Sequence, residues 1–455
     1  MAIKLWPFLI YIYCQSIINP LVMTDRRKFL KQIGIGAGAT LAAGLMQTAA
    51  HAALNDTLQQ YQQHTPAELA NNENFWRHIK KGYATGPDGL INLNNGGVSP
   101  APKVVQEAMK DYYDQSNWAP SYYMWRRLDQ GREPLRMQLA AIAGCSHEEI
   151  ALQRNASEAL ETIVFGLTLN RGDEVVLSKQ DYPNIINAWK QREVRDGIKL
   201  VWVNLVLPSE DEEWLANCYT SLFTPRTKVV LITHMINWVG QKMPVKKIAD
   251  IAKAQGIEVM VDGAHTFAQF PFAIPDLNCD YFGTSLHKWL GAPIGTGMLY
   301  VRQEKIAALY PLFGNGNAHS PDIRKFEHLG TRPFFIEQAI GKAIEFTENI
   351  GLLKKEARLQ YLKNYWMERV KDVPGVQLHT SLKPQFACAI GMFSIEGARL
   401  PAIDRYLMEH YKIHTVGIEW ENIKGVRVTP NVYTSTKDLD KLVEGIQGFA
   451  RDGRG

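Results

Sequence analysis

The chain has 455 residues, 46% of them apolar and 21% charged, with 50 basic against 46 acidic side chains and a formal net charge of +4. That length suggests two or three domains of roughly 100–200 residues each, and the composition excludes a disordered chain, a coiled coil and a polytopic membrane protein. So small a positive excess gives no argument for a nucleic-acid partner.

Near the front stands Thr24-Asp25-Arg26-Arg27-Lys28-Phe29-Leu30-Lys31, then a charge-free run from Ile33 to Met46, then Ala50-His51-Ala52. A basic region, a short apolar region and a small-x-small cleavage pattern, in that order, read as a twin-arginine secretion signal over residues 1–52. The alternative is a membrane anchor, but the apolar run is shorter than the ~20 residues a spanning helix needs, so no stable anchor is expected after cleavage. Residues 1–22, broken by Pro7 and Pro20, read as an over-extended start ahead of Met23. A periplasmic or otherwise exported location follows. Cys145, Cys218, Cys279 and Cys388 then remain in an oxidising compartment. With no C-x-x-C spacing they suggest neither a zinc site nor bridges, and read as buried thiols.

Residues 53–90 read as an N-terminal arm packed on the body. Residues 91–335 read as a large domain, of which 91–148 lead in, and 336–455 as a small α+β domain. From residue 149 short apolar strands alternate with helices. Strands are predicted at 150–152, 175–177, 200–203, 229–232, 259–261 and 297–301, and helices at 156–169, 184–195, 210–222 and 245–254. Such β-branched strands separated by helices indicate an α/β fold whose parallel sheet is covered on both faces. A long helix is predicted from Ile336 to about Val370. The C-terminal helix carries Leu439, Leu442, Val443, Ile446 and Phe449 on one face.

In an open α/β sheet, ligands bind beyond the carboxyl ends of the strands. Asp262 follows one strand, ahead of Gly263-Ala264-His265. Arg154-Asn155-Ala156-Ser157 follows another and enters a helix, where the Ala156 and Ser157 amides and the Ser157 hydroxyl suit an anion. Ser285-Leu286-His287-Lys288-Trp289 follows a third. Taken singly, Asp262 also suits a helix cap, Asn155–Ser157 plain capping, Lys288 a surface lysine, and His265 and His287 buried histidines with structural partners. At successive strand ends of one domain, an amine facing a carboxylate and an anion cradle suggests a Schiff-base lysine serving pyridoxal 5′-phosphate (PLP).

Asp262-Gly263-Ala264-His265 and Ser285-Leu286-His287-Lys288-Trp289-Leu290-Gly291 through Gly297 resemble the class V aminotransferase signature. That family includes cysteine desulfurases, kynureninases and isopenicillin N epimerases, and Leu93-Asn94-Asn95-Gly96-Gly97-Val98-Ser99-Pro100 resembles the epimerase-like branch most. The resemblance implies PLP-dependent transferase fold type I, a large domain with a mainly parallel sheet between helices plus a smaller α+β domain, in a homodimer with shared active sites. It implies that Lys288 carries the cofactor and later shuttles the Cα proton, and that Asp262 faces the pyridine nitrogen. Ala156, Ser157, Ser285 and His287 are implied phosphate ligands, and Thr331 the phosphate contact given to the neighbouring subunit. Tyr182 is implied to stack on the ring where desulfurases commonly have histidine, and His265 stands where they usually have glutamine. Asn237 is implied to lie near the 3′-oxygen. Arg427 is implied to grip the substrate carboxylate, with Asn95 a further substrate contact; on the residues alone, Arg427 also suits a surface strand. No metal is implied.

The expected function is Cα–H removal from a small-molecule substrate, an amino acid or derivative, epimerase-like or aminotransferase. A C–S or C–N lyase is one alternative and a non-catalytic PLP-fold ligand-binding protein another. A nucleotide-binding domain lacks its G-x-G-x-x-G. Desulfurase activity is not expected, because the stretch from Ile413 to Lys424 ahead of Arg427 holds no cysteine; Trp420 in it suggests an apolar wall to the substrate pocket.

Overall fold

The computed structural model describes residues 58–452 except 59 and 85; the secretion-signal segment lies outside the described residues. The described residues form one compact unit. Two short helices open it, α1 (Pro66–Ala70) and α2 (Glu73–Lys81), capped by Thr65 and Asn72 side chains. Phe75, Trp76 and Ile79 of α2 are buried. Strand β1 (Ile91–Asn92) follows, then α3 (Lys103–Trp118) and α4 (Arg132–Ala143).

The central sheet is built from β2 (Ile150–Gln153), β3 (Glu174–Ser178), β4 (Lys199–Val203), β5 (Thr227–Thr233), β6 (Glu258–Asp262), β7 (Tyr281–Ser285) and β8 (Gly297–Val301), in the order β2-β8-β7-β6-β5-β3-β4. The interleaved helices are α5 (Ala156–Gly166), α6 (Pro183–Asp196), α7 (Glu212–Thr220) and α8 (Val245–Ala254). Side chains alternate between faces along each strand. Val230 and Ile232 therefore enter one core and Val229 and Leu231 the other, which is why β5 is buried on both faces from Val229 onward. Helix α7 begins at Glu212 because Asp211 caps it, its carboxylate accepting from Trp214 N–H.

The sheet is mainly parallel, as expected, and one strand departs from that sense. Strand β8 runs antiparallel to both β7 and β2. A parallel return needs a crossover of about a dozen residues or more, usually helical, and residues 286–296 contain no helix.

The single long helix predicted from Ile336 is corrected. It is three helices, α9 (Phe334–Gln338), α10 (Ile340–Ile350) and α11 (Leu352–Val370). The break before α11 is Gly351, whose φ of +88° no continuing helix can hold. Beyond it come β9 (Val376–Leu378), β10 (Gly391–Ile395), α12 (Leu400–Tyr411), β11 (Ile413–His414), β12 (Val416–Trp420), β13 (Ile423–Val428) and α13 (Thr436–Asp452). Strands β9-β10-β13-β12 form an antiparallel sheet in that order. The five apolar residues predicted on one face of α13 are all buried against it. Strand β1 pairs in parallel with β11, so the start of the lead-in segment is tied to the C-terminal part of the chain.

Where β8 meets α5 the backbones almost touch. A Cβ at Gly297 would lie 2.6 Å from the backbone N and Cα of Asn155, the cap of α5. Gly297→Ala is expected to lower stability by about 1–3 kcal/mol and to weaken PLP retention by displacing the α5 N-terminus. Thermal unfolding with and without cofactor, and a PLP titration, check both effects.

Candidate active site

Strands β2, β3, β5, β6 and β7 deliver their C-terminal ends to one edge of the sheet. Around that edge lies a cavity of about 250 Å³ lined by residues from all five following loops. At its floor Asp262, the last residue of β6, is buried; its Oδ1 accepts from Ala264 N–H at 2.9 Å. Burial raises its pKa, opposed by that bond and by the nearby Lys288 amine.

Lys288 follows the end of β7, and its Nζ lies 3.0 Å from His265 Nε2. Withdrawal of the amine from bulk water brings its pKa down to about 8; Asp262 opposes that fall and Arg427 adds to it. His265 is held well below its usual pKa by burial, with Lys288 and Arg427 contributing. Its ring is therefore neutral, and its Nδ1 is buried without a partner. A neutral imidazole with one unused nitrogen and a lysine that loses its proton near neutrality form a set able to move protons.

The opposite wall is the N-terminus of α5. Asn155 Oδ1 caps it through Glu158 N–H at 2.9 Å. The Ala156 N–H donates to Ser285 Oγ at 2.9 Å rather than standing free, and Asn184 Nδ2 reaches Ser157 Oγ at 3.3 Å. His287 Nδ1 lies 3.0 Å from the Thr296 carbonyl, which can only accept, so that nitrogen carries the hydrogen. Ala156, Ser157, Ser285 and His287 all line the cavity, as do Tyr182 and Asn237. Tyr182 is 43% exposed and lies nearly parallel to Trp238, with ring centroids 6.2 Å apart.

Arg427, on β13, reaches the site from the small sheet. It is buried; Nη1 donates to Asn237 O at 3.1 Å and Nη2 to Asn94 Oδ1 at 3.0 Å. Its Nε is buried without a partner, and it forms no ion pair with any described carboxylate. Burial draws its pKa down to about 10. A buried guanidinium with only neutral acceptors lacks an anion.

Two expectations are revised. Asn95 is not a substrate contact: it is fully buried, with its Nδ2 donating to Asn92 O and Thr429 O and its Oδ1 accepting from Tyr433. Successive residues of an extended segment point to opposite sides, so Asn94 faces Arg427 instead, and only the pairing of this segment with Thr429 settles which asparagine does. Trp420 does not line the cavity; its Nε1 donates to Lys179 O at 2.9 Å. Thr331, expected to serve a neighbouring subunit, is exposed and outside this chain's own cavity. Thr233 at the end of β5, Gly97 and Val98 line the cavity without having been singled out by sequence. Among the described residues no cluster of His, Cys, Asp and Glu suits a metal.

A family model described as Aminotransferase class-V matches residues 91–432. The chain belongs to the class V aminotransferase family. It is similar to isopenicillin N epimerase of Streptomyces clavuligerus, 25% identical over 378 residues that cover 79% of this chain and 95% of that protein. It is also similar to a probable cysteine desulfurase of Synechocystis, 26% identical over 326 residues covering 68% and 76%. Among solved structures, a C-DES variant with glycine covalently linked to its PLP cofactor superposes with a TM-score of 0.71 at 20% identity, over 79% of this chain and 96% of that one. The fold is thus that of PLP-dependent fold type I enzymes, and the cofactor of this family is PLP. The residues present fit it. An amine, a buried carboxylate, a helix N-terminus and the unpartnered His265 Nδ1 converge on one cavity.

The depressed pKa of Lys288 has a direct consequence. Its amine gains nucleophilic, unprotonated character as pH rises through about 8. Covalent capture of PLP by cofactor-free protein should therefore accelerate through that range and then level off, well below the pH at which a solvent-exposed lysine does. Stopped-flow absorbance against pH checks this.

Proposed function

We propose that this chain is an exported PLP-dependent enzyme that removes the Cα proton of an amino acid or derivative, in an epimerase-like or aminotransferase reaction. The observation that carries it is Arg427, a buried cation without a carboxylate partner, next to the cavity that holds Lys288. A bidentate guanidinium–carboxylate pair would satisfy it. When bound, PLP supplies an electron sink for charge developing at Cα. Asp262 would hold a proton at the ring nitrogen, and the α5 N-terminus with Ser285 and His287 would bind the phosphate. Tyr182 would cover the ring face and Asn237 lie by the 3′-oxygen. Arg427 and Asn94 would orient the substrate so that its Cα–H points at Lys288 Nζ, which takes the proton.

Sulfur abstraction would need a mobile thiolate. The segment ahead of Arg427 is instead the β12–β13 hairpin, without cysteine. Cys279 and Cys388 are fully buried, and burial pushes both thiols up to about 12. None of the four described cysteines lines the cavity. A C–S or C–N lyase is the second reading, supported by the likeness to proteins named as desulfurases, and without a suitable thiol it would act by elimination alone.

The same reading makes the active unit a homodimer in which Thr331 serves the neighbour's phosphate. The exposed aromatic run Tyr113, Trp118, Tyr122 and Trp125, with Trp118 68% exposed, supports a covered face there.

An amino-acid panel in deuterated water tests the reaction. Cα–H exchange should depend on Lys288, falling about 10²–10⁴-fold in Lys288→Ala. Product analysis then separates the inverted isomer, the oxo acid and the eliminated fragment. L-cysteine with reductant should release no more sulfide than the Lys288→Ala control; Lys288-dependent sulfide with a persulfide on Cys388 or Cys279 would move the protein to the desulfurases.

Export is proposed from Arg26 and Arg27. Replacing both by lysine should leave precursor in the cytoplasm, read by fractionation of the producing cells. Efficient export of the double variant would refute twin-arginine routing.

A further inference from the structure

Two groups to which the proposed function gives different tasks, Tyr182 over the ring and Arg427 on the substrate carboxylate, come from separate parts of the chain. One residue touches the supports of both. Trp238 is almost wholly buried in the loop after β5. Its indole N–H donates to Gln180 O at 2.8 Å, two residues before Tyr182. Its ring lies nearly parallel to Tyr182, 6.2 Å between centroids at 28°. Trp420, from the tip of the β12–β13 hairpin, packs on it at 5.8 Å and 30°. The carbonyl of the residue before it, Asn237, accepts from Arg427 Nη1 at 3.1 Å.

The surroundings hold this loop firmly. His234 N–H donates to Asp262 O at 2.9 Å, and Met243 N–H to His234 O at 3.0 Å. At Gly240, with φ of +74°, a Cβ would come within 2.5 Å of Ile390 O. Trp420 is anchored in turn by its Nε1 bond to Lys179 O at 2.9 Å. Gln180 is fully buried, and its Nε2 donates to Asn422 Oδ1 at 2.8 Å. Tyr182 itself is the least constrained member, being 43% exposed; ring contact with Trp238 is the one aromatic support it has among the described residues. Both ring spacings lie in the roughly 4.5–7 Å range where aromatic pairs attract.

We propose that Trp238 is a positioning residue, clamped by Trp420, that sets the orientation of Tyr182 and the reach of Arg427 together and so governs how an α-amino acid is aligned. The proposal rests on the reading of Arg427 as the carboxylate receptor and of Tyr182 as the cover of the ring. Alignment of this kind matters because a displacement of about 1 Å can cost about a hundredfold in rate. Trp238 touches none of the reacting atoms. Its effect passes through the Tyr182 ring and the Asn237 carbonyl.

The test uses holoenzyme and L-alanine, which carries the α-amino and α-carboxylate groups without a large side chain. Three variants are compared: Trp238→Leu, which removes the ring; Trp238→Phe, which keeps a ring but removes the bond to Gln180 O; and Trp420→Phe, which removes the bond to Lys179 O. Cofactor content should stay at the parent level in all three. Visible circular dichroism of the bound cofactor should change in Trp238→Leu, and the dissociation constant for L-alanine, read from the cofactor absorbance, should rise about tenfold. Trp238→Phe should show the same changes in smaller degree, and it decides the matter if Trp238→Leu does not fold. Trp420→Phe combined with Trp238→Leu should be no worse than Trp238→Leu alone, since the clamp is already lost. Unchanged dichroism with L-alanine affinity within about twofold of the parent, while only the thermal midpoint falls, would make Trp238 a core residue and overturn the proposal. Strictly additive losses in the double variant would overturn the clamp by Trp420. Arg427→Lys separates the underlying reading: if it leaves L-alanine affinity intact, the carboxylate role of Arg427 fails, and the dichroism of the Trp238 variants alone then decides whether Trp238 orients Tyr182.

Discussion

An amine withdrawn from water beside a buried carboxylate, a neutral imidazole and an uncompensated guanidinium is the arrangement on which the rest of this molecule depends. Each of these groups is costly to bury alone. Lys288 and Asp262 partly offset one another, but Arg427 adds positive potential and draws no ion pair. The site is therefore short of negative charge on the Arg427 side and supplied with donors at the α5 N-terminus. A cofactor phosphate and, on the function proposed, a substrate carboxylate would supply the missing anions.

Holding this arrangement is a task shared by the whole fold. The sheet places Asp262 and Lys288 at its edge because β6 and β7 are adjacent and parallel. The antiparallel β8 closes on the other side of β7 and brings Gly297 against the cap of α5. Beneath the same end of the sheet, buried Glu327 accepts from Leu152 N–H at 2.6 Å and pairs with Arg136 and Arg132. It thereby fixes the start of the loop that carries Thr331. The turn after Lys288 is held from behind, where the buried Lys355 amine donates to Trp289 O.

The second half of the site belongs to the C-terminal sheet. Arg427 lies on β13, which pairs with β10 and β12, and Asn94 reaches it from the lead-in segment through the contact with Thr429. The β12–β13 hairpin is tied to the large domain by the Trp420 Nε1 bond to Lys179 O and the Asn422 Nδ2 bond to Leu205 O.

What the sequence by itself determined is the local chemistry: an apolar β-branched run ends, and a polar residue with a specific task follows. Asp262, Lys288, Ser157 and His287 were legible because strand, turn and motif are all encoded within a few neighbouring residues. The strand alternation that buries β5 on both faces was legible for the same reason. The tertiary structure alone decided which of Asn94 and Asn95 faces Arg427, because that depends on pairing with a segment more than 300 positions away. It alone decided the direction of β8, since a short apolar run reads the same in either sense. It alone brought Trp238 between Tyr182 and Trp420, because buried tryptophans carry no motif and their neighbours are set by packing across the chain.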